Sequence, residues 1–189
     1  MATLQAPIDE IYYRNYPTLP FNSSYSGDGI INVLNQAWAY IKRITNNCLD
    51  LTLIDETLDH STFFCNTRKG YLFINPRQTP CLDLYQAIVH YGDGTTKELD
   101  VNTVIKRQNG YMFPNSPLEP NDIAQIEIEY NAGYETIPDD LKYVCAMVTS
   151  HIMSGSFFPA DGSVGEGSLL PQWLPAECKT ILQKYTRHF

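Results

Sequence analysis

The stretch Ile123–Lys142, IAQIEIEYNAGYETIPDDLK, constrains this chain more than any other. Ile123, Gln125, Glu127 and Glu129 alternate with Ala124, Ile126, Ile128 and Tyr130, the period-two pattern of a half-buried strand. Asn131, Ala132 and Gly133 break the pattern, and Gly133 can take a positive φ that other residues resist. Pro138 lacks an N–H and presets φ, which suits the first turn of a helix. Asp139 and Asp140 then place negative charge at the positive end of the helix dipole. The corner formed by Tyr130, Gly133, Tyr134 and Pro138 is expected to fix the angle between a β segment before it and helices after it.

The rest of the chain arranges itself around that corner. Residues 1–26 are rich in Pro, Asn, Ser and Tyr without a clean period, and read as an extended N-terminal arm that packs on a neighbour. Asp28 reads as an N-cap, and Ile30, Ile31, Leu34, Ala37, Trp38, Ile41 and Ile44 recur at helical steps up to Asn46–Asn47. Residues 50–69 fit a strand and turn or a short helix and loop equally well. From Gly70 to Tyr130 the signals are β, with Asp93-Gly94 and Asn109-Gly110 as hairpin turns. Leu141, Val144, Cys145, Val148 and Ile152 mark a helix from Pro138 to about Met153. A glycine-rich loop is expected over about 154–173, and a last helix starts at Pro175. The fold class is therefore α+β. It is a small bundle of three main helices with an antiparallel β-sheet or sandwich, about 62–130, inserted between the first and second helices of a single domain over 27–189.

Charge and chemistry narrow the function. The chain of 189 residues carries a net charge of -8, which argues against gripping nucleic acid by its phosphates. Its five cysteines are odd in number and widely spaced, so neither a zinc site nor a disulfide framework is expected, and reduced thiols made in a cytoplasm are. No basic region followed by an apolar run opens the sequence, and no stretch reaches the roughly 20 apolar residues that span a bilayer. No histidine falls at a spacing that would activate Cys145 or a serine, and GxSxG, HExxH and P-loop motifs are missing. Between Arg107 and Lys142 there are seven acids and no basic residue; Glu127 and Glu129 share one strand face. Such a pair is expected to be solvated rather than catalytic. No catalytic residue, cofactor or metal is assigned.

The run IEIEYNAGYETIPDDLKYVCAMVTSHI resembles the signature of the head–tail connector (adaptor, or head-completion) proteins of tailed bacteriophages. In that family a strand ending in Tyr is followed by Ala-Gly-Tyr, then Ile-Pro-Asp, then an apolar helix. Here these are Tyr130, Ala132-Gly133-Tyr134, Ile137-Pro138-Asp139 and the helix from Leu141. The resemblance covers about residues 27–189. It implies a structural, non-enzymatic virion protein of the neck, forming a ring of twelve copies under the portal. That ring extends the DNA channel and docks the tail or the next neck protein, and DNA passes through without sequence-specific binding and without a membrane partner. Glu127, Glu129, Asp161 and Glu166 are the candidate acids facing the DNA channel. Lys179, Lys184, Tyr185, Arg187 and Phe189 are the candidate portal-docking residues, since the chain turns basic after Glu177. A stopper or tail-terminator ring, a virion carbohydrate-binding module built on the many tyrosines, and an enzyme using scattered Cys and His are the competing readings.

Overall fold

The computed structural model describes residues 5–15, 27–107, 109–114, 122–155 and 173–186. The chain divides into two compact units: Met1–Asn47 together with Thr136–Phe189, and Cys48–Glu135. The architecture is α+β, with four helices in the first unit and two antiparallel sheets in the second among the described residues.

In the helical unit, α1 (Glu10–Arg14) is short and is capped by Asp9, whose carboxylate accepts from the Tyr12 N–H at 2.7 Å. Of the expected extended arm over 1–26, residues 5–15 thus hold a short helix, and the remainder lies outside the described residues. Ile8 and Tyr13 are buried, and the N–H groups of Gln5 and Ala6 donate to Asn35 Oδ1 at 2.7 and 3.1 Å. Residues 5–15 thus fold onto their own unit rather than reaching out. The sequence hid this because a five-residue helix is too short to show a period. Helix α2 (Asp28–Thr45) buries Ile30, Leu34, Ala37, Trp38 and Ile41 along one stripe and ends on Asn46 in the left-handed region. It packs on α3 (Asp139–Met153), whose N-cap is Pro138, and α3 packs on α4 (Ala176–Tyr185). The Tyr185 phenol donates to Asp140 Oδ1 at 2.6 Å, its carbonyl accepts from Asn47 Nδ2 at 3.2 Å, and the Tyr143 phenol donates to Glu177 at 3.1 Å.

Among the described residues the β unit is a sandwich of eight strands. One sheet has the order β1 (Thr52–Leu58), β8 (Ile123–Ala132), β4 (Cys81–Tyr91), β5 (Thr96–Glu98). The other has the order β2 (Phe63–Asn66), β3 (Tyr71–Ile74), β7 (Gly110–Pro114), β6 (Ile105–Arg107). The β segment begins earlier than the expected residue 62, because the undecided stretch 50–69 forms β1 and β2. Inward-facing Leu58, Ile126, Ile128, Ala87 and Val89 meet Leu72, Ile74, Tyr111 and Phe113 from the other sheet in a single core. Tyr111 and Tyr130 meet edge to face, 5.9 Å between ring centres. The Tyr130 hydroxyl donates to Glu56 at 2.8 Å, and burial next to that carboxylate raises its pKa far above the usual phenol range.

Two glycines are demanded by close neighbours. A side chain at Gly110 would meet the Ile74 carbonyl and the Phe73 ring, so this residue serves the β3–β7 pairing rather than the turn. Gly133 has φ +98°, and a Cβ there would lie 2.1 Å from the Asp50 carbonyl oxygen. Its N–H donates to the Pro80 carbonyl at 3.1 Å, and the next N–H, of Tyr134, donates to Leu49 O at 3.2 Å. Gly133→Ala should therefore lose about 2–5 kcal/mol, combining backbone strain with overpacking. Gly94, also at positive φ but with open space around it, should lose only about 1 kcal/mol on the same change. Urea unfolding of the two variants checks this; equal losses would show that the Asp50 contact is not the constraint.

Candidate functional site

The outward face of the β1–β8–β4–β5 sheet collects the acids singled out in the sequence and adds others. Along β1, Ile54, Glu56 and Leu58 point inward while Leu53, Asp55 and Thr57 point outward. The pairing register sets Asp55 opposite Glu129 and Thr57 opposite Glu127. On the far side of β8, Glu127 registers with Ile88, which in turn pairs with Glu98 of β5. One sheet face thus carries Asp55, Glu129, Glu127 and Glu98. The only Lys or Arg in these four strands is Lys97, which lies opposite buried Val89 and so alternates to the other face. The alternation in β8 slips once. Ala124 and Gln125 are both exposed, and the register shifts between His90 and Tyr91, so Ile123 is buried instead of facing outward.

Charge on this face is only partly compensated. His90 Nε2 approaches Glu127 Oε2 at 3.2 Å, and Asn131 donates to the Tyr85 hydroxyl at 2.7 Å. Asp55 and Glu129 face each other across the ladder, and neither has an ion partner among the described residues. Like charges placed directly opposite destabilise a sheet.

The other expected site residues fall as follows. Tyr130, Gly133 and Tyr134 act inside the β unit through the contacts described above. The carbonyl of Pro138 accepts from the N–H groups of Leu141 and Lys142, both at 3.1 Å, which starts α3. Lys184 is exposed on α4 and Lys179 is half-buried; five residues apart, they point about 140° away from each other and do not form one patch. Tyr185 is engaged internally with Asp140. Asp161, Glu166, Arg187 and Phe189, and most of the loop over 154–173, lie outside the described residues.

Sequence reasoning missed Asp55 and Glu98. TLIDETL carries no period-two polarity signal, since Leu53 and Ile54 are adjacent apolar residues and Asp55, Glu56 and Thr57 adjacent polar ones, so Asp55 is placed on this face only by the strand pairing. Glu98 sits on a strand of three residues and is placed only by its pairing with Ile88.

Burial pushes the Cys145 thiol up to about 12 and the Cys178 thiol up to about 11, so both stay protonated at neutral pH. The His151 ring packs against Trp173, 5.3 Å between centres. Among the described residues no cluster of three or more His, Cys, Asp or Glu could hold a metal ion, and no helix is long and apolar enough to cross a membrane. An open cleft of about 440 Å³ is lined by Tyr91, Gly92, Asp93, Thr95 and Asp122. The Asp93 carboxylate there accepts from both the Thr95 hydroxyl and the Thr95 N–H, which hold its carboxyl below the usual range.

No family model and no curated protein matches this chain. Solved structures do. A chain in the virion of a native gene transfer agent particle superposes with TM-score 0.59 at 11% identity, covering 100% of this chain and 94% of that one. A chain in the neck of an empty gene transfer agent particle, computed with C6 symmetry, gives 0.55 at 13% identity over 94% and 88%. A chain in the neck of the native particle, computed with C12 symmetry, gives 0.52 at 13% identity over 85% and 82%. At these identities the likeness is one of fold.

Glu129→Gln should stabilise the protein by about 0.2–1 kcal/mol, by removing the repulsion from Asp55, and added salt should shrink the gain. Thermal melts of both proteins at low and high salt measure it; a loss of stability would mean that Glu129 has a cation partner.

Proposed function

We propose that this chain is a non-catalytic structural protein of a phage-like virion neck, an adaptor that forms a ring under the portal, extends the DNA channel and docks the tail. The observation that carries this reading is the fold likeness, over nearly the whole of both chains, to chains in gene transfer agent virion and neck structures. Two of those structures were computed with C6 and C12 symmetry, which fits a ring. The Tyr130, Ala-Gly-Tyr and Ile-Pro-Asp run supports the same reading from sequence. No cofactor is needed for such a role.

The acidic sheet face gives the ring a way to handle DNA. A channel wall must not hold what passes through it. Carboxylates repel phosphates, whereas each Lys or Arg contact adds salt-dependent affinity. We propose that Asp55, Glu127, Glu129 and Glu98 face the lumen and that exposed Lys184 contacts the portal.

The test is assembly on the portal protein of the same particle. The chain should join it as a closed ring that imaging of the neck resolves under the portal; a monomer that never joins the portal would overturn the reading. A Glu127→Lys/Glu129→Lys ring should retain duplex DNA at low salt and release it as salt rises, while the unaltered ring retains none. An assembled variant ring that ignores DNA would remove this face from the lumen. Lys184→Glu should weaken portal binding several-fold with a reduced salt dependence, read by titration at two ionic strengths.

A further inference from the structure

Each unit carries an uncovered apolar surface. On the β unit, the register of the second sheet lines up Phe64, Phe73, Met112 and Ile105 in one row across β2, β3, β7 and β6. Their chain neighbours Cys65, Leu72 and Phe113 turn to the core, so the row lies on the outward face. Phe64 is 57% exposed and Ile105 40%. Tyr71 extends the patch into the next row, its ring centre 6.4 Å from that of Phe64. None of these four strands contains an acid, while Arg68 and Lys69 in the β2–β3 turn and Arg107 on β6 are exposed. On the helical unit, Ile8 and Tyr13 are buried and hold α1 in place. Ile11 lies about 200° around the helix from Tyr13. At 69% it is the most exposed large hydrophobic side chain among the described residues, and Tyr12 beside it is exposed too. The start of α1 is acidic, with exposed Asp9 and with Glu10, which pairs with Arg14.

We propose that α1 of one copy seats on the outward face of the second sheet of the next copy, with Ile11 over the Phe64–Ile105 row. This rests on the ring reading above and names its contact. Exposed apolar patches of this kind mark contact surfaces. Two copies of the sheet face would set cations against cations, so the face does not suit stacking on itself. Helix α1 suits it better, because it brings apolar side chains to the row and Asp9 to the cationic border. The two surfaces differ, so the contact is heterologous: each copy gives a knob to one neighbour and a face to the other, which closes into a ring when the rotation allows. The acids Glu127 and Glu129 belong to the first sheet, on the other side of the sandwich, and stay free for the channel.

The test uses Ile11→Lys and Phe64→Glu in the full chain, with Ile105→Glu on the same row as a second acidic variant and melting curves to confirm that each folds. Self-association is followed by sedimentation and mass photometry over a concentration series, with and without portal protein. Each variant alone puts a charge into an apolar contact and should associate about tenfold or more weakly than the unaltered chain. Mixed one to one, Ile11→Lys and Phe64→Glu should recover assembly. In an alternating ring every contact then either pairs the introduced charges or is unaltered. Unchanged assembly of each variant alone, with the parent ring intact, would overturn the α1 contact and leave the ring reading standing. So would weakened variants that do not recover on mixing. Variants that form normal rings but lose the tail or portal would assign these surfaces to another partner and overturn the proposal. A parent chain that never assembles, with portal or without, would overturn both.

Discussion

The Tyr130 hydroxyl bond to Glu56 holds more of this structure together than its 2.8 Å length suggests. Tyr130 lies on β8, which pairs with both β1 and β4, and its side chain is part of the sandwich core. A buried phenol needs a partner for its hydroxyl, and leaving one unmade costs about 1–3 kcal/mol. Glu56 meets that need from β1 and also accepts the Arg77 N–H at 2.9 Å. The Gln78 N–H in turn donates to the Tyr130 oxygen at 3.2 Å. One side chain thus fixes an edge strand, the segment that leads into β4 and, through Tyr111, the second sheet.

The features best read from sequence were those with a sustained period. Helices α2 and α3 and strand β8 each repeat a pattern long enough to exclude alternatives, and the first two were found within a residue or two. The α+β class followed from them. Strands β1 and β2 were left undecided because four to seven residues around the Asp59–Thr62 turn support either reading. Helix α1 was missed because its stability comes from burying Ile8 and Tyr13 and from the Asp9 cap, not from any repeat. Of the candidate site, Glu127 and Glu129 were legible as neighbours on one strand face. Asp55 and Glu98 were not, since a sheet face is assembled from strand order, which is a property of pairing rather than of any one segment.

The β unit separates its surface chemistry by position. Acids gather on one outward face, while exposed Leu53, Phe64 and Ile105 stand on edge strands. The separation follows from the two-residue period: once one face of a strand is committed to the core, the other is free to take a single kind of charge. The cost is electrostatic and small for each pair in water. In the ring proposed above, it would sum to a field that a polyanion would feel.

The hydrogen bond from Tyr134 to Leu49 has an evolutionary consequence. It joins residues next to the two ends of the β unit, with Asp50 bridged to Tyr134 beside it. The chain therefore enters and leaves the sandwich through one doorway. A segment whose ends already touch can be lengthened, shortened or exchanged for another without rerouting the polypeptide on either side. Gly133, wedged against Asp50, is the hinge pin of that doorway. It makes the eight-strand unit a cassette, free to change its surface while the helices that carry it keep theirs.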